Sequence, residues 1–365
     1  MDVKTDVHGG NVYKARDCLN KSISEILDYS ANINPLGVPQ SFRIAVLEHL
    51  DLLQYYPDPE YVDARKSLGQ YHNLDIANII MGNGATEILF LIMETLRPGK
   101  VLIPSPSFAE YRSAAESVGS TIVDYRLEEE NEFKLCVDEF LNCITSDIDM
   151  VVLCNPNNPT SQIINKEEME LIVSECSKKG IVVVLDEAFI DFVAEKPDLS
   201  MVDQLYKYPN LFIVRALTKF YAIPGLRLGY GLAGEELIKR LQQKKQPWTL
   251  NNFASLAAQI LPWDYEYIRM SQDWIQVEKD RFYMQLADIG SIKVYKPYGN
   301  FMLIKLLDSN FNSMVICDKM QHEDILVRDA SNFNNLNQQY IRIAIKDRTS
   351  NELFYKVFRR IMEEV

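Results

Sequence analysis

The feature that most restricts the fold is a set of unbroken apolar runs: Met150-Val151-Val152-Leu153-Cys154, Ile181-Val182-Val183-Val184-Leu185 and Leu211-Phe212-Ile213-Val214. A strand with one wet face alternates apolar and polar residues, whereas a strand covered on both faces does not. Shorter runs of the same kind stand at 79–81 and 101–103. Helical spacing fills the gaps, at 40–54, 61–72 and 165–179, and in a helix from near Ala85 that carries Ile88, Leu89, Leu91, Ile92 and Leu96. Strands alternating with helices predict an α/β fold with a large, mostly parallel sheet sandwiched by helices. In such sheets the ligand sits outside the carboxyl ends of the strands.

Past residue 232 the pattern changes. Helical stretches at 233–246 and 264–289 precede short strands at 292–295, 301–306, 325–328 and 340–345 and a last helix at 349–363, which predicts a smaller α+β unit. A chain of 365 residues exceeds what one simple core accommodates. The expected organisation is an N-terminal arm, 1–38, packing with the small domain; a large domain, 39–250; and a small C-terminal domain, 251–365.

A formal charge of −13 and a pI near 4.9 argue against nucleic acid or an anionic membrane as partner. Any anion must therefore be held by local arginines. The six cysteines include no C-x-x-C pair and read as reduced thiols, neither a disulfide framework nor a metal site. No apolar signal region or run of transmembrane length is visible, so a soluble cytoplasmic protein is expected.

The polar motifs fall at strand ends. Gly82-Asn83-Gly84-Ala85-Thr86-Glu87 opens a helix, where small residues let backbone N–H groups approach a phosphate, although Thr86 alone reads equally as a cap. Asn155-Pro156-Asn157-Asn158-Pro159-Thr160 is a rigid turn that can aim one amide at a ring oxygen, or an ordinary Asx turn. Asp186, in Asp186-Glu187-Ala188-Phe189, needs a cationic partner if buried, and a protonated pyridine nitrogen qualifies. Lys219 lies in a strand-to-strand connection among Phe220, Tyr221, Ile223 and Leu226, with Arg227 eight positions later. An isolated lysine is usually a solvated surface residue. One held among apolar neighbours loses hydration, its pKa falls, and the nucleophilic amine is favoured. A Schiff-base lysine beside a phosphate-binding arginine is what an aldehyde cofactor with a phosphate handle requires.

With this ordered set of motifs the chain resembles, over essentially its whole length, the pyridoxal-phosphate enzymes of the aspartate-aminotransferase fold. The resemblance implies pyridoxal 5'-phosphate as cofactor, with Lys219 as Schiff-base lysine and proton-transfer base, and Asp186 on the pyridine nitrogen. It puts Asn158 on the phenolic oxygen, Phe108 stacked on the ring, and Gly84, Ala85, Thr86, Thr218 and Arg227 around the phosphate. It also sends Tyr56 to the cofactor phosphate of a neighbouring subunit, implying a homodimer with shared active sites. Two positions depart from the family pattern: Phe189 stands where many relatives carry Tyr, and Ala216 where Ser or Thr is common. Cofactor affinity and the lysine pKa are expected to differ accordingly.

Within the fold, two sister groups are most similar: histidinol-phosphate aminotransferase and threonine-phosphate decarboxylase. The opening His8-Gly9-Gly10-Asn11, the arm segment Asp28-Tyr29-Ser30-Ala31-Asn32-Ile33-Asn34-Pro35-Leu36-Gly37 and Ile325-Leu326-Val327-Arg328-Asp329-Ala330-Ser331-Asn332-Phe333 look like the decarboxylases. That resemblance implies decarboxylation of L-threonine O-3-phosphate to (R)-1-aminopropan-2-ol O-2-phosphate in cobalamin synthesis. L-serine O-phosphate is a further candidate, because a lost methyl contact is worth only ~1–3 kcal/mol. Arg328 and Arg342 can clamp a substrate phosphate bidentately, with His8, Asn32 and Asn158 completing the substrate site. Two arginines on phosphate leave the α-carboxylate free to stand perpendicular to the π-system, which favours loss of CO2. The competing expectation is transamination of histidinol phosphate.

Overall fold

The computed structural model describes residues 9–193 and 199–363. Its strands are β1 (Leu27–Asp28), β2 (Ile79–Asn83), β3 (Lys100–Ser105), β4 (Thr121–Arg126), β5 (Met150–Cys154), β6 (Val182–Asp186), β7 (Leu211–Ala216), β8 (Leu228–Ala233), β9 (Ile292–Val294), β10 (Phe301–Leu306), β11 (Ile325–Leu326), β12 (Arg328–Asp329) and β13 (Tyr340–Ala344).

The large sheet has the order β2-β8-β7-β6-β5-β3-β4. Only β8 runs against the rest, pairing antiparallel with both β7 and β2. The cause lies in the 217–227 connection, which holds nothing longer than the short 3-10 turn Pro224–Leu226 and so cannot make the crossover that a parallel pair needs. The unbroken apolar strands are covered on both faces, as expected. Val151, Leu153, Val183 and Leu185 enter one apolar cluster, and Val152, Cys154, Val184 and Val214 enter the other. Successive side chains point to opposite faces, so each strand feeds two helix layers.

The edge strand β4 was not foreseen. Its residues Thr121-Ile122-Val123-Asp124-Tyr125-Arg126 interleave polar groups, because it pairs only with β3 and one edge stays wet. A second unforeseen element is the helix Asn252–Ile260, capped by Asn251 and packed on the helix Val62–His72.

The smaller sheet is antiparallel, β12-β13-β10-β9. The strand expected over 325–328 is in fact two. Leu27 pairs with Ile325 in a parallel ladder, while Arg328 pairs with Arg342. The arm then threads between these strands: the Tyr29 N–H donates to Leu326 O at 2.8 Å, and the Ala344 N–H donates to Tyr29 O at 2.8 Å. Tyr29 is fully buried, its ring 4.5 Å from that of Phe354. This stitching carries Ser30, Ala31 and Asn32 over the carboxyl ends of the large sheet. Among the described residues no helix is long and apolar enough to cross a membrane.

Candidate active site

A cavity of about 470 Å³ lies at the carboxyl ends of β5, β6 and β7. It brings Ala85, Thr86, Phe108, Asn158, Asp186, Thr218, Lys219 and Arg227 together with Asn32, Arg328 and Arg342. Gly84 stands just outside the lining, under Arg227. Tyr56 is not there: it is 83% exposed and packs on Trp248, ring centroids 5.2 Å apart. His8 lies outside the described residues, and its neighbour Gly9 lines the cavity.

One end of the cavity suits a phosphate. The helix Gly84–Leu96 starts there with Ala85 and Thr86 at the wall, so its unpaired N–H groups face the space. Gly84 has φ +79°, and a Cβ on it would stand 2.5 Å from Nη2 of Arg227. A Cβ on Gly229 of β8 would meet the Ala85 nitrogen at 2.4 Å. Two glycines therefore let the guanidinium and the helix start close on the same point. Arg227 makes no ion pair with a carboxylate among the described residues.

At the floor, β6 ends in Asp186, which is buried. Its Oδ1 accepts from the Ala188 N–H at 2.8 Å, and its Oδ2 accepts from the Tyr111 hydroxyl at 2.7 Å. Burial pushes its carboxyl up to about 6, against the lowering effect of those two bonds. A cation at that spot would restore full ionisation. Phe108 caps the helix Ala109–Ser117 and meets Tyr111 edge-on, centroids 5.6 Å apart.

Lys219 follows β7 by three residues. Its backbone carbonyl accepts from the Asn34 N–H at 3.1 Å, tying it to the arm. Burial, then the positive charges of Arg342 and Arg227, push its ammonium down to about 8. About a tenth is therefore free amine at pH 7, far more than for an ordinary lysine, as the apolar surroundings predicted.

The opposite wall carries Arg328 and Arg342, facing each other across the β12–β13 ladder and both buried. Arg342 donates to Asn158 Oδ1 and to Ser30 O, each at 2.6 Å, while its Nε is buried with no partner among the described residues. Burial and the nearby Arg328 push the Arg342 guanidinium down to about 9. Asn32 Oδ1 is likewise buried and unpartnered among the described residues. Two adjacent guanidiniums and the orphaned Arg342 Nε mark a place for an anion, and the Asn32 oxygen a place for a donor on the same ligand.

Sequence reasoning missed Tyr111, Ser30 and Asn332. Tyr111 sits in an apolar helix stripe and reads as core. Asn332 accepts from Arg328 Nη2 at 2.7 Å, a pairing visible only at its i, i+4 spacing. It also missed a buried ion triad beneath the site. Arg215 of β7 bonds Glu187 at 2.8 Å and Asp191 at 2.9 Å, bracing the turn that follows Asp186.

A family model for aminotransferases of class I and II matches residues 24–358. The chain belongs to that family. Class I and II aminotransferases use pyridoxal phosphate. The chain is 33% identical to threonine-phosphate decarboxylase of Salmonella typhimurium strain LT2 over 363 residues, 99% of this chain and 98% of that protein. Among solved structures, histidinol-phosphate aminotransferase from Clostridium acetobutylicum superposes with a TM-score of 0.87 at 37% identity, covering 93% of this chain and all of that one. L-threonine-O-3-phosphate decarboxylase from Porphyromonas gingivalis gives 0.83 at 26% identity, with 93% of this chain and all of that one covered.

The aminotransferase-family cofactor fits this cavity. The glycine-cleared helix start and Arg227 suit its phosphate, the buried Asp186 lacks only a cation, and Lys219 holds an amine of depressed pKa between them.

Proposed function

We propose that this protein is a pyridoxal-phosphate-dependent decarboxylase of L-threonine O-3-phosphate, yielding CO2 and (R)-1-aminopropan-2-ol O-2-phosphate for cobalamin synthesis. The observation that carries the substrate class is the pair of buried guanidiniums: Arg342 makes no ion pair with a carboxylate among the described residues, and its charge is opposed by Arg328. A phosphate between them offsets both penalties. The full-length likeness to a threonine-phosphate decarboxylase supports the reaction.

Bound at the site, the cofactor supplies a conjugated electron sink for the bond broken at the substrate Cα. The protein's part is binding and proton handling. Ala85, Thr86, Thr218 and Arg227, at the start of the Gly84–Leu96 helix, hold the cofactor phosphate; Asp186 holds a proton at the ring nitrogen; Asn158 donates to the phenolic oxygen; and Phe108 covers the ring. Arg328, Arg342, Asn32 and His8 grip the substrate phosphate. With both guanidiniums on the phosphate, no arginine of this wall would be left to hold the α-carboxylate, which would favour its loss as CO2. Lys219, in its ammonium form, would supply the proton that Cα takes up in place of CO2 and be left as the amine.

The working unit is a homodimer in the cytoplasm, in which Tyr56 reaches the partner's cofactor phosphate. Its exposure, together with that of Leu47, Leu53 and Trp248, supports a face covered by a second copy. The arm 1–38 is assigned with residues 251–365 to the smaller domain and 39–250 to the large one, the helix Asn252–Ile260 bridging to the large domain.

The test is product analysis with pyridoxal phosphate and L-threonine O-phosphate, without a keto acid. CO2 with a phosphorylated amino alcohol supports the reading. The likeness to the Clostridium aminotransferase favours a second one. Glutamate formed from histidinol phosphate and 2-oxoglutarate, with no CO2, would establish that reading and assign one of the two arginines to a carboxylate.

A further inference from the structure

Asp186 is held at both oxygens, and the two holds differ in kind. Oδ1 accepts from its own turn, the Ala188 N–H, at 2.8 Å. Oδ2 accepts at 2.7 Å from the hydroxyl of Tyr111, a residue of another element and 1% exposed. The alternation of β6 explains the meeting. Val184 points into the apolar cluster that also contains Tyr111, and Asp186, two residues on, points the same way. Tyr111 thus spans from the packed layer under the sheet to the carboxylate at its end. Its ring also meets Phe108 edge-on at 5.6 Å, with the planes 81° apart. One buried side chain therefore touches both the carboxylate proposed for the ring nitrogen and the aromatic proposed for the ring face.

We infer that Tyr111 is a positioning residue for the cofactor: its hydroxyl fixes Asp186 as an ionised, oriented carboxylate, and its ring sets the height of Phe108. The inference rests on the cofactor reading given above. The charge balance around Asp186 agrees with it. Burial works to neutralise the carboxyl, Glu187 adds to that pressure, and the Tyr111 hydroxyl leads the groups that resist it, ahead of the Ala188 N–H and Arg215. Cys154 of β5, next to Asp186 in the sheet, is a thiol whose pKa burial raises above the thiol range, so it contributes no charge at neutral pH. Without the Tyr111 hydroxyl, Asp186 keeps the backbone bond and the more distant Arg215, both held fixed by the turn.

Tyr111→Phe removes the hydroxyl and keeps the ring. The first measurement needs no cofactor: the carboxyl carbon of Asp186 is titrated by NMR in the apo protein, its signal assigned by loss in Asp186→Asn. The expected result is a midpoint near 6 in the parent and about one unit higher in Tyr111→Phe. An unmoved midpoint overturns the inference. The second reads non-covalent pyridoxal phosphate binding by fluorescence in a Lys219→Ala background across pH 5–9. The acid limb of the affinity profile should move to higher pH with Tyr111→Phe, weakening binding by about threefold near pH 6.5 and approaching tenfold at pH 5. Equal weakening at every pH would reduce Tyr111 to a packing residue and overturn its electrostatic role. A parent protein that takes up no pyridoxal phosphate and shows no visible band sinks the cofactor reading itself; a normal parent band with an unshifted Tyr111→Phe sinks only this inference.

Discussion

Arg342 donates from Nη1 to the side-chain oxygen of Asn158 at 2.6 Å, bonding a strand of the small sheet to the turn that ends β5. Arginine can only donate, so Asn158 must present its oxygen to it and keep the amide nitrogen for whatever occupies the cavity. The wall at β13 and the turn after β5 are thereby coupled through one amide.

Arg342→Ala should therefore keep the visible cofactor band while raising the KM for L-threonine O-phosphate. Losing one member of a buried, charge-assisted contact costs about 2–5 kcal/mol, which is at least tenfold. Arg342→Lys should not rescue, because one ammonium cannot meet Asn158, Ser30 and a phosphate together. A bleached Arg342→Ala protein would mean that the arginine serves Asn158 first and the substrate second.

The amine of Lys219 should titrate well below a free lysine. With its ammonium pushed down to about 8 by burial and by Arg342 and Arg227, the nucleophilic form is scarce below that pH and dominant above it. Uptake of pyridoxal phosphate by the apo protein, followed in the visible, should rise with a midpoint near pH 8. Arg342→Ala removes one of the repelling charges and should move that midpoint upward. Lys219→Ala should show no band at any pH. A midpoint near the free-lysine value of 10.5 would contradict a desolvated amine.

Stability should depend heavily on Arg215, which lies beneath the site without lining it. Its guanidinium is 1% exposed and pairs with Glu187, fully buried, and with Asp191. Arg215→Met strands two carboxylates, and breaking such a pair costs about 3–5 kcal/mol. The apo protein should lose roughly 4–7 °C in Tm by calorimetry. Adding Glu187→Gln should return part of that loss; no recovery in the double variant would place the damage in packing instead.

The exposed Tyr56 gives a test of site sharing. Tyr56→Ala and Lys219→Ala should each be impaired alone. Unfolded together and refolded as a mixture, they form hybrid dimers in which one site has both its lysine and the partner's tyrosine. Activity well above that of either variant alone supports a shared site. Simple averaging of the two would show that Tyr56 serves its own subunit or none.

The sheet was legible because its strands are dry on both sides, which forces unbroken apolar runs that few other structures need. The Lys219 connection was legible for a related reason: two apolar strands joined by a short polar-aromatic loop must double back, so the loop stands at the ligand edge. Tyr111 was invisible because its role depends on which face Asp186 takes, and a helix stripe containing an aromatic looks the same whether its hydroxyl is buried in contact or idle. The split at Val327 was hidden as well. Nothing in Ile325-Leu326-Val327-Arg328 says that its first half pairs with the arm and its second half with β13. Such pairings are set by partners remote in sequence, which local patterns do not encode.

The parallel ladder between Leu27 and Ile325 joins residues near opposite ends of the chain. During synthesis the large sheet, complete by Ala233, has all its strands available long before β11 and β13 leave the ribosome. The nascent protein therefore has its lysine, its acid and its phosphate cradle in hand while the wall that holds Ser30 and Asn32 in place is still missing. Competence arrives late and at once, when β11 and β13 close around the arm at Leu27, Asp28 and Tyr29.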